Sequence, residues 1–309
     1  MNKYQNKWES RSSIRTSPRK TIDFDKVGYF FPPDKQSLLL LQEVISLGEI
    51  TKQNLLIHSF YKYLNDIINL ETKSLIAACN TVISKNLVVN YDRATKLNAH
   101  TVIIDEYYHV YMANDMINQL EQKFPELEKL TYPTSDANNA VQSIKDRLEA
   151  KYHDIFEIIA VCIFETTLVR ELVEFFNSPD VHPSIRYYVN DHMNDEAKHY
   201  GYFYELLCYT WAEMPAEYKD AIGSCIGDFI KLYLSVLSEQ EFNKSLLASI
   251  IQDVEKSNIL VDGLYSGFDI VSDIPIVKNV ISVIAKAGLL ENNNVKSGLL
   301  NNNLLLITK

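Results

Sequence analysis

The chain has 309 residues, 47% of them hydrophobic, with only nine glycines and nine prolines and a net charge of −10. Abundant Leu, Ile, Lys and Glu with sparse Gly and Pro favour helices over a sandwich or barrel. The acidic balance argues against a nucleic-acid partner, because neutralising phosphates needs a basic surface.

Residues 1–33 read as an extended arm, basic and Ser-rich, ending at "YFFPPD", where Pro32 and Pro33 forbid a helix interior. The arm lacks the apolar core of a secretory signal. Its basic residues (Lys3, Lys7, Arg11, Arg15, Arg19, Lys20) are expected to solvate a loose segment. Helical periodicity then predicts helices near 35–48, 51–85, 91–124, 137–177, 182–212, 215–238, 240–256 and 273–289. Breaks fall at "FPELEKLTYPTSDANN" and "NSPDVHPS". Strand-like alternation is nearly absent and no midpoint shows a linker, so 34–289 is expected to form one all-α helical domain. Residues 290–309, carrying "SGLLNNN", read as a poorly ordered Asn-rich tail. No apolar run is long enough for a membrane span. The cysteines Cys79, Cys162, Cys208 and Cys225 show no CxxC spacing, as expected for reduced thiols of a cytoplasmic protein.

Chemistry concentrates in two matching motifs, DEYYH at 105–109 and DEAKH at 195–199. Each places a Glu and a His three residues apart, on one face of a helix. A carboxylate-bridged two-metal site in a four-helix bundle takes one such pair from each of two helices and a lone Glu from each of the other two. The chain supplies both lone residues: Glu71 in "DIINLETKSLIAACN" and Glu165 in "EIIAVCIFETTLV", an apolar stretch where an unpaired carboxylate is costly. The set becomes Glu71, Glu106, His109, Glu165, Glu196 and His199, to which His192, one turn before Glu196, adds a third imidazole. Four carboxylates balance two divalent cations, and mixed N/O donors suit Fe or Mn better than Ca or structural Zn.

Other residues have blander readings. Asp105 and Asp195 can each hold a ligand histidine by hydrogen bond or lie solvated. Tyr107, Tyr108 and Tyr200 read as packing residues, because 19 tyrosines make proximity ordinary. His58, His100, His153 and His182 lack partners at ligand spacing and read as structural.

The order and spacing of Glu71, Glu106xxHis109, Glu165 and His192xxxGlu196xxHis199 resemble the ligand pattern of the di-iron arylamine N-oxygenases, the p-aminobenzoate N-oxygenase family, over about residues 25–250. The resemblance implies a ferritin-like helical bundle with additional helices, a homodimer holding two iron ions, and O₂-dependent oxidation of an aryl amine to hydroxylamine, nitroso or nitro products, often in secondary metabolism. It further implies an external donor, a reductase or ferredoxin-type protein. One iron would take Glu71, Glu106 and His109; the other would take Glu165, His192, Glu196 and His199. An aminobenzoate needs a cation for its carboxylate, whereas the turn before Glu71 offers Asp66; Lys62, Lys73 and Arg170 are the available anchors. The competing readings are another di-iron or Mn/Fe oxidase, a radical-generating subunit, and an iron-storage protein.

Overall fold

The computed structural model describes residues 3–127, 129–167 and 175–306. It is 73% helical, and among the described residues the only strand-like feature is one isolated bridge between Tyr29 and Val181. The long helices are α2 (Glu49–Leu70), continued through a π turn, Glu71–Leu75, into α3 (Ile76–Ser84); α4 (Arg93–Lys123); α6 (His153–Glu165); and α7 (Pro183–Glu213). An N-terminal helix, Lys3–Arg11, is α1, and Asp136–Lys145 is α5.

Two of the long helices begin where the sequence supplies a side-chain cap. The Asp92 side chain accepts from Thr95 N at 2.7 Å to start α4, and His182 Nδ1 accepts from Ser184 N at 3.2 Å to start α7. Helix α4 packs against α2 and α3, and α7 packs against α6 and α4. This assembles an antiparallel-capable set of four long elements around a core in which Ile158 through Phe164 of α6 are fully buried. A second layer follows: α8 (Ala216–Tyr233), α9 (Leu237–Ile251), α10 (Val254–Leu264), α11 (Pro275–Lys286) and α12 (Asn293–Asn301). An 18-residue window within 216–251 has the mean hydropathy of a membrane span. The stretch nonetheless breaks between Tyr233 and Leu237, and Ile226, Phe229, Ile230, Leu246 and Leu247 are fully buried.

Several elements differ from the expectation. The arm is not extended at its start: α1 is followed by a helical turn, Ser13–Thr16, and Trp8, Ser12, Ser13 and Lys20 are buried. Lys20 is no solvating residue, since its ammonium pairs with Asp191 at 2.7 Å. The segment 35–48 is three short turns, because the Gln36 side chain accepts from Leu38 N and stabilises a tight turn. The predicted 137–177 helix breaks between Lys145 and His153, where His153 Nε2 meets Leu148 O at 2.8 Å; residues 168–174 lie outside the described residues.

The Asn-rich tail is part of the helical body. Asn292 caps α12, while Asn294 and Asn302 bond to Asp220 and Asp228 of α8. Val295 and Leu299 are fully buried. The two helices touch at Gly227 and Gly298. A Cβ on Gly227 would stand 2.3 Å from the Gly298 carbonyl carbon and oxygen, whereas a Cβ on Gly298 would reach Gly227 N at an ordinary 3.5 Å. Gly227→Ala is therefore expected to destabilise the fold by about 3 kcal/mol through backbone separation. Gly298→Ala should stay within about 1 kcal/mol of the parent, helped by its better helix propensity. Denaturant titration of both variants checks the asymmetry, and equal effects would contradict the close packing.

His58, nearly buried in α2, makes no hydrogen bond through Nδ1, and burial pushes its pKa down to about 4. The unfolded imidazole titrates near 6.5. Between these values the unfolded chain binds the proton and the folded one does not, so stability falls as pH drops from about 6.5 to about 4. The full loss is about 3 kcal/mol. His58→Leu is expected to flatten that window in urea titrations; an unchanged pH dependence would exclude His58 as its source.

Candidate metal centre

The four long elements bring all seven predicted residues together in the buried interior. Glu71 opens the π turn, Glu106 and His109 sit mid-way along α4, Glu165 ends α6, and His192, Glu196 and His199 form one stripe of α7. None is more than 7% exposed.

Two groups of donors emerge. Glu71, His109, His192 and Glu196 each offer an atom such that all lie within 4.8 Å of one another, and Glu106, Glu165, Glu196 and His199 do the same. Glu196 belongs to both. Its Oε1 lies 2.9 Å from His192 Nε2 and 3.3 Å from His109 Nδ1, while its Oε2 lies 3.2 Å from His199 Nδ1. Glu106, a member of the second group alone, also approaches a histidine of the first, with Oε2 3.1 Å from His109 Nδ1 and Oε1 3.2 Å from His199 Nδ1. His192 falls beside Glu71, its Nε2 3.2 Å from Glu71 Oε1, and so joins the group opposite to the one the family pattern implied. Its position on α7 at i−4 from Glu196 aims it across the bundle toward the π turn.

The residues preceding each Glu cross over. His109 Nε2 donates to Asp195 Oδ2 at 3.2 Å, and His199 Nε2 donates to Asp105 Oδ2 at 3.3 Å. Each DExxH helix therefore orients the histidine of the other, leaving both Nδ1 atoms facing the carboxylates. The N-terminal segment closes this arrangement from behind. Trp8 Nε1 donates to Asp105 Oδ2 at 2.8 Å and Ser12 Oγ to Asp105 Oδ1 at 2.5 Å, while Ser13 N donates to Asp195 and Lys198 pairs with it. Neither aspartate is exposed. Trp8, Ser12 and Ser13 carried no signal in the sequence, since their partners lie 93 to 182 residues away.

The donor set fits two cations. Among the described residues no donor reaches Glu71 Oε2 or Glu165 Oε2, both buried, an expensive state for oxygen in the interior unless a positive charge meets it. Burial first, then repulsion from Glu196 and Glu106, pushes the Glu165 carboxyl well up. Burial opposes protonation of His109, but its bonds to Asp195, Glu106, Glu196 and Glu71 outweigh it and hold the pKa well up. Burial is likewise outweighed at His199, by Glu106 and Glu196. The protein alone thus gathers protons to offset its carboxylates, a task that two divalent ions perform with the imidazoles neutral.

A cavity of about 300 Å³ reaches Glu71, Glu165, His192 and Glu196. Ile67, Leu70, Leu75 and Met193 give it apolar walls, and Tyr63, whose buried hydroxyl has no partner among the described residues, also lines it. Of the anchors weighed for an anionic substrate, Lys62 is committed to Asp66, Lys73 does not line this cavity, and Arg170 lies outside the described residues.

A helical bundle that buries four carboxylates and three imidazoles in two overlapping groups defines a di-metal carboxylate protein. The family model described as P-aminobenzoate N-oxygenase AurF matches residues 5–245. The chain belongs to that family, a family of di-iron N-oxygenase enzymes. No curated protein matches the chain.

Proposed function

We propose that the chain oxidises the nitrogen of an aryl amine with O₂ and external electrons, using two iron ions held by Glu71, Glu106, His109, Glu165, His192, Glu196 and His199. The observation that carries this reading is the pair of overlapping donor groups at the inner end of a cavity large enough for a single aromatic ring. In the first turnover one oxygen atom of O₂ joins the nitrogen to give a hydroxylamine, and the other leaves as water with two electrons and two protons from outside. Repetition leads to nitroso and nitro products. Bound iron would supply the dioxygen activation.

The chain's own residues supply position and proton control. Asp105 and Asp195 keep the protons of His199 and His109 on Nε2, which frees both Nδ1 atoms as ligands. The apolar walls exclude water and hold the ring. Burial raises the Tyr63 hydroxyl well above its ordinary pKa, so it stays protonated and can donate to oxygen growing on the nitrogen. The electrons are proposed to come from a reductase or ferredoxin-type protein, and the working form is proposed to be a homodimer acting in secondary metabolism.

The test is iron-loaded protein given an aryl amine, a reductant and isotopically labelled O₂. The label should appear on the amine nitrogen, with about two irons per chain by elemental analysis. Two irons with no labelled amine product would point to a different di-iron oxidase. Many irons per chain in a cage-sized particle would point to storage.

A further inference from the structure

Where the cavity leaves the centre its chemistry changes. The buried end is built from the ligand carboxylates and His192, while the half-buried mouth carries Asp66 and Asp136 beside Ser135 and Ser235. We propose that this mouth selects aryl amines whose end opposite the amino group is cationic or a neutral hydroxyl, and disfavours those ending in a carboxylate, p-aminobenzoate included. The inference rests on the N-oxygenase reading and names its substrate class.

Charge at the mouth is counted from the side chains that face it. Among the described residues no Lys or Arg lines the cavity itself; Lys62 and Lys35 line the adjoining groove, where Lys35 pairs with Asp34 at 3.3 Å and both Asp66 oxygens hold the Lys62 ammonium, at 2.6 and 2.5 Å. The Lys62 side chain is only 9% exposed, so it cannot swing to a ligand without leaving Asp66 unpaired. Among the described residues Asp136 has no cation partner. It accepts instead from neutral donors, Ser235 Oγ at 2.9 Å, Ser238 Oγ at 2.7 Å and Ser238 N at 3.1 Å, which stabilise its charge without neutralising it. Glu239, bonded to the Tyr265 hydroxyl, adds a third carboxylate close by. Burial, and then repulsion from Asp136 and Glu239, outweighs Lys62 and lifts the Asp66 carboxyl to about 6. Among the described residues, Asp66, Asp136 and Glu239 thus face Lys62 and a Lys35 already paired with Asp34, which leaves the mouth net negative. A ligand carboxylate entering here would lose water and meet like charge, whereas an ammonium would be drawn in and a hydroxyl would find acceptors.

The two ends of the cavity also differ in what they ask of a ligand. Leu70, Leu75 and Ala137 also line it, apolar walls that suit the faces of an aromatic ring. The reacting nitrogen sits at the ligand end and the substituent para to it reaches the mouth. Specificity for that substituent therefore rests on Asp66 and Asp136, which touch no ligand-group residue through the hydrogen bonds described above.

Three ligands of matched size test this: p-aminobenzylamine, p-aminobenzyl alcohol and p-aminobenzoate, titrated calorimetrically into iron-loaded protein without O₂. The first two are expected to bind at least about tenfold more tightly than p-aminobenzoate. In Asp136→Asn the gap between benzylamine and benzoate should shrink about tenfold. Equal or tighter binding of p-aminobenzoate, or no binding of any of the three, overturns the proposal. The unaltered protein is decisive by itself, so a variant that fails to fold leaves the ranking intact as evidence. Admitting O₂ and reductant afterwards separates the two ideas. Oxidation of tightly bound p-aminobenzoate would keep the N-oxygenase reading and sink the selection. The expected ranking without any oxidised product would sink the N-oxygenase reading.

Discussion

Glu196→Ala is expected to empty both metal positions, taking iron from about two per chain to well below one and abolishing amine oxidation. Glu196 is the residue common to both donor groups, and its two oxygens face different histidines. Loss of residues that merely orient ligands commonly weakens metal binding by about 10–100-fold; loss of a shared ligand should exceed about 100-fold at each position. Glu71→Ala provides the contrast. Glu71 contributes to the group with His109, His192 and Glu196 but not to the other, so that variant should keep about one iron per chain. Elemental analysis after gel filtration measures both. Retention of two irons by the Glu196 variant would contradict the shared role.

Deleting residues 1–16 should have the next largest effect, although none of those residues is a candidate ligand. The deletion removes every donor that Trp8, Ser12 and Ser13 give to Asp105 and Asp195. It also exposes both aspartates, which are now fully buried. Water would then compete for the carboxylates that orient His109 and His199. Iron should pass to a competing chelator about 10–100-fold more readily. Removal of the buried Trp8 side chain should lower unfolding stability by about 3–5 kcal/mol as well. Trp8→Phe separates the two contributions, since it keeps most of the ring and removes the Nε1 donor. Unaltered iron release in both variants would show that the segment packs without tuning the centre.

The donor residues were legible because a di-metal bundle imposes a short-range rule: Glu and His three apart, twice, with a lone Glu on each preceding helix. That rule concerns neighbours on one helix and survives without knowledge of packing. The cross-bracing of the aspartates does not. Asp105 and Asp195 are each adjacent to a ligand, yet each serves the histidine of the other helix, a relation that exists only once α4 and α7 have met. The grouping of His192 that the family pattern implied differs from its place beside Glu71, a relation set only by how α7 meets the π turn. The N-terminal helix was hidden by its brevity and by partners nearly a hundred residues distant or more. The tail was misread through composition, since asparagines that look disordering alone become caps and carboxylate partners beside α8. A clue did exist there in "GSCIG" at 223–227, where two glycines one turn apart give a helix a smooth strip for close backbone contact.

The π turn at Glu71–Leu75 sets a trade between helix regularity and donor alignment. A π turn accommodates one more residue than an α turn, and each residue carries about 100° of rotation. The stripe that buries Phe60, Leu64 and Ile67 therefore resumes beyond the turn with a different phase, where Leu75, Cys79 and Val82 are buried. Losing one residue between Thr72 and Ser74 would mend the hydrogen-bond ladder and lengthen the regular helix. It would also swing everything on one side of the deletion by about a quarter turn relative to the other, so that Glu71 and α3 could not both keep their seats. Indels at this point are thus read by the protein as rotations rather than as changes of length.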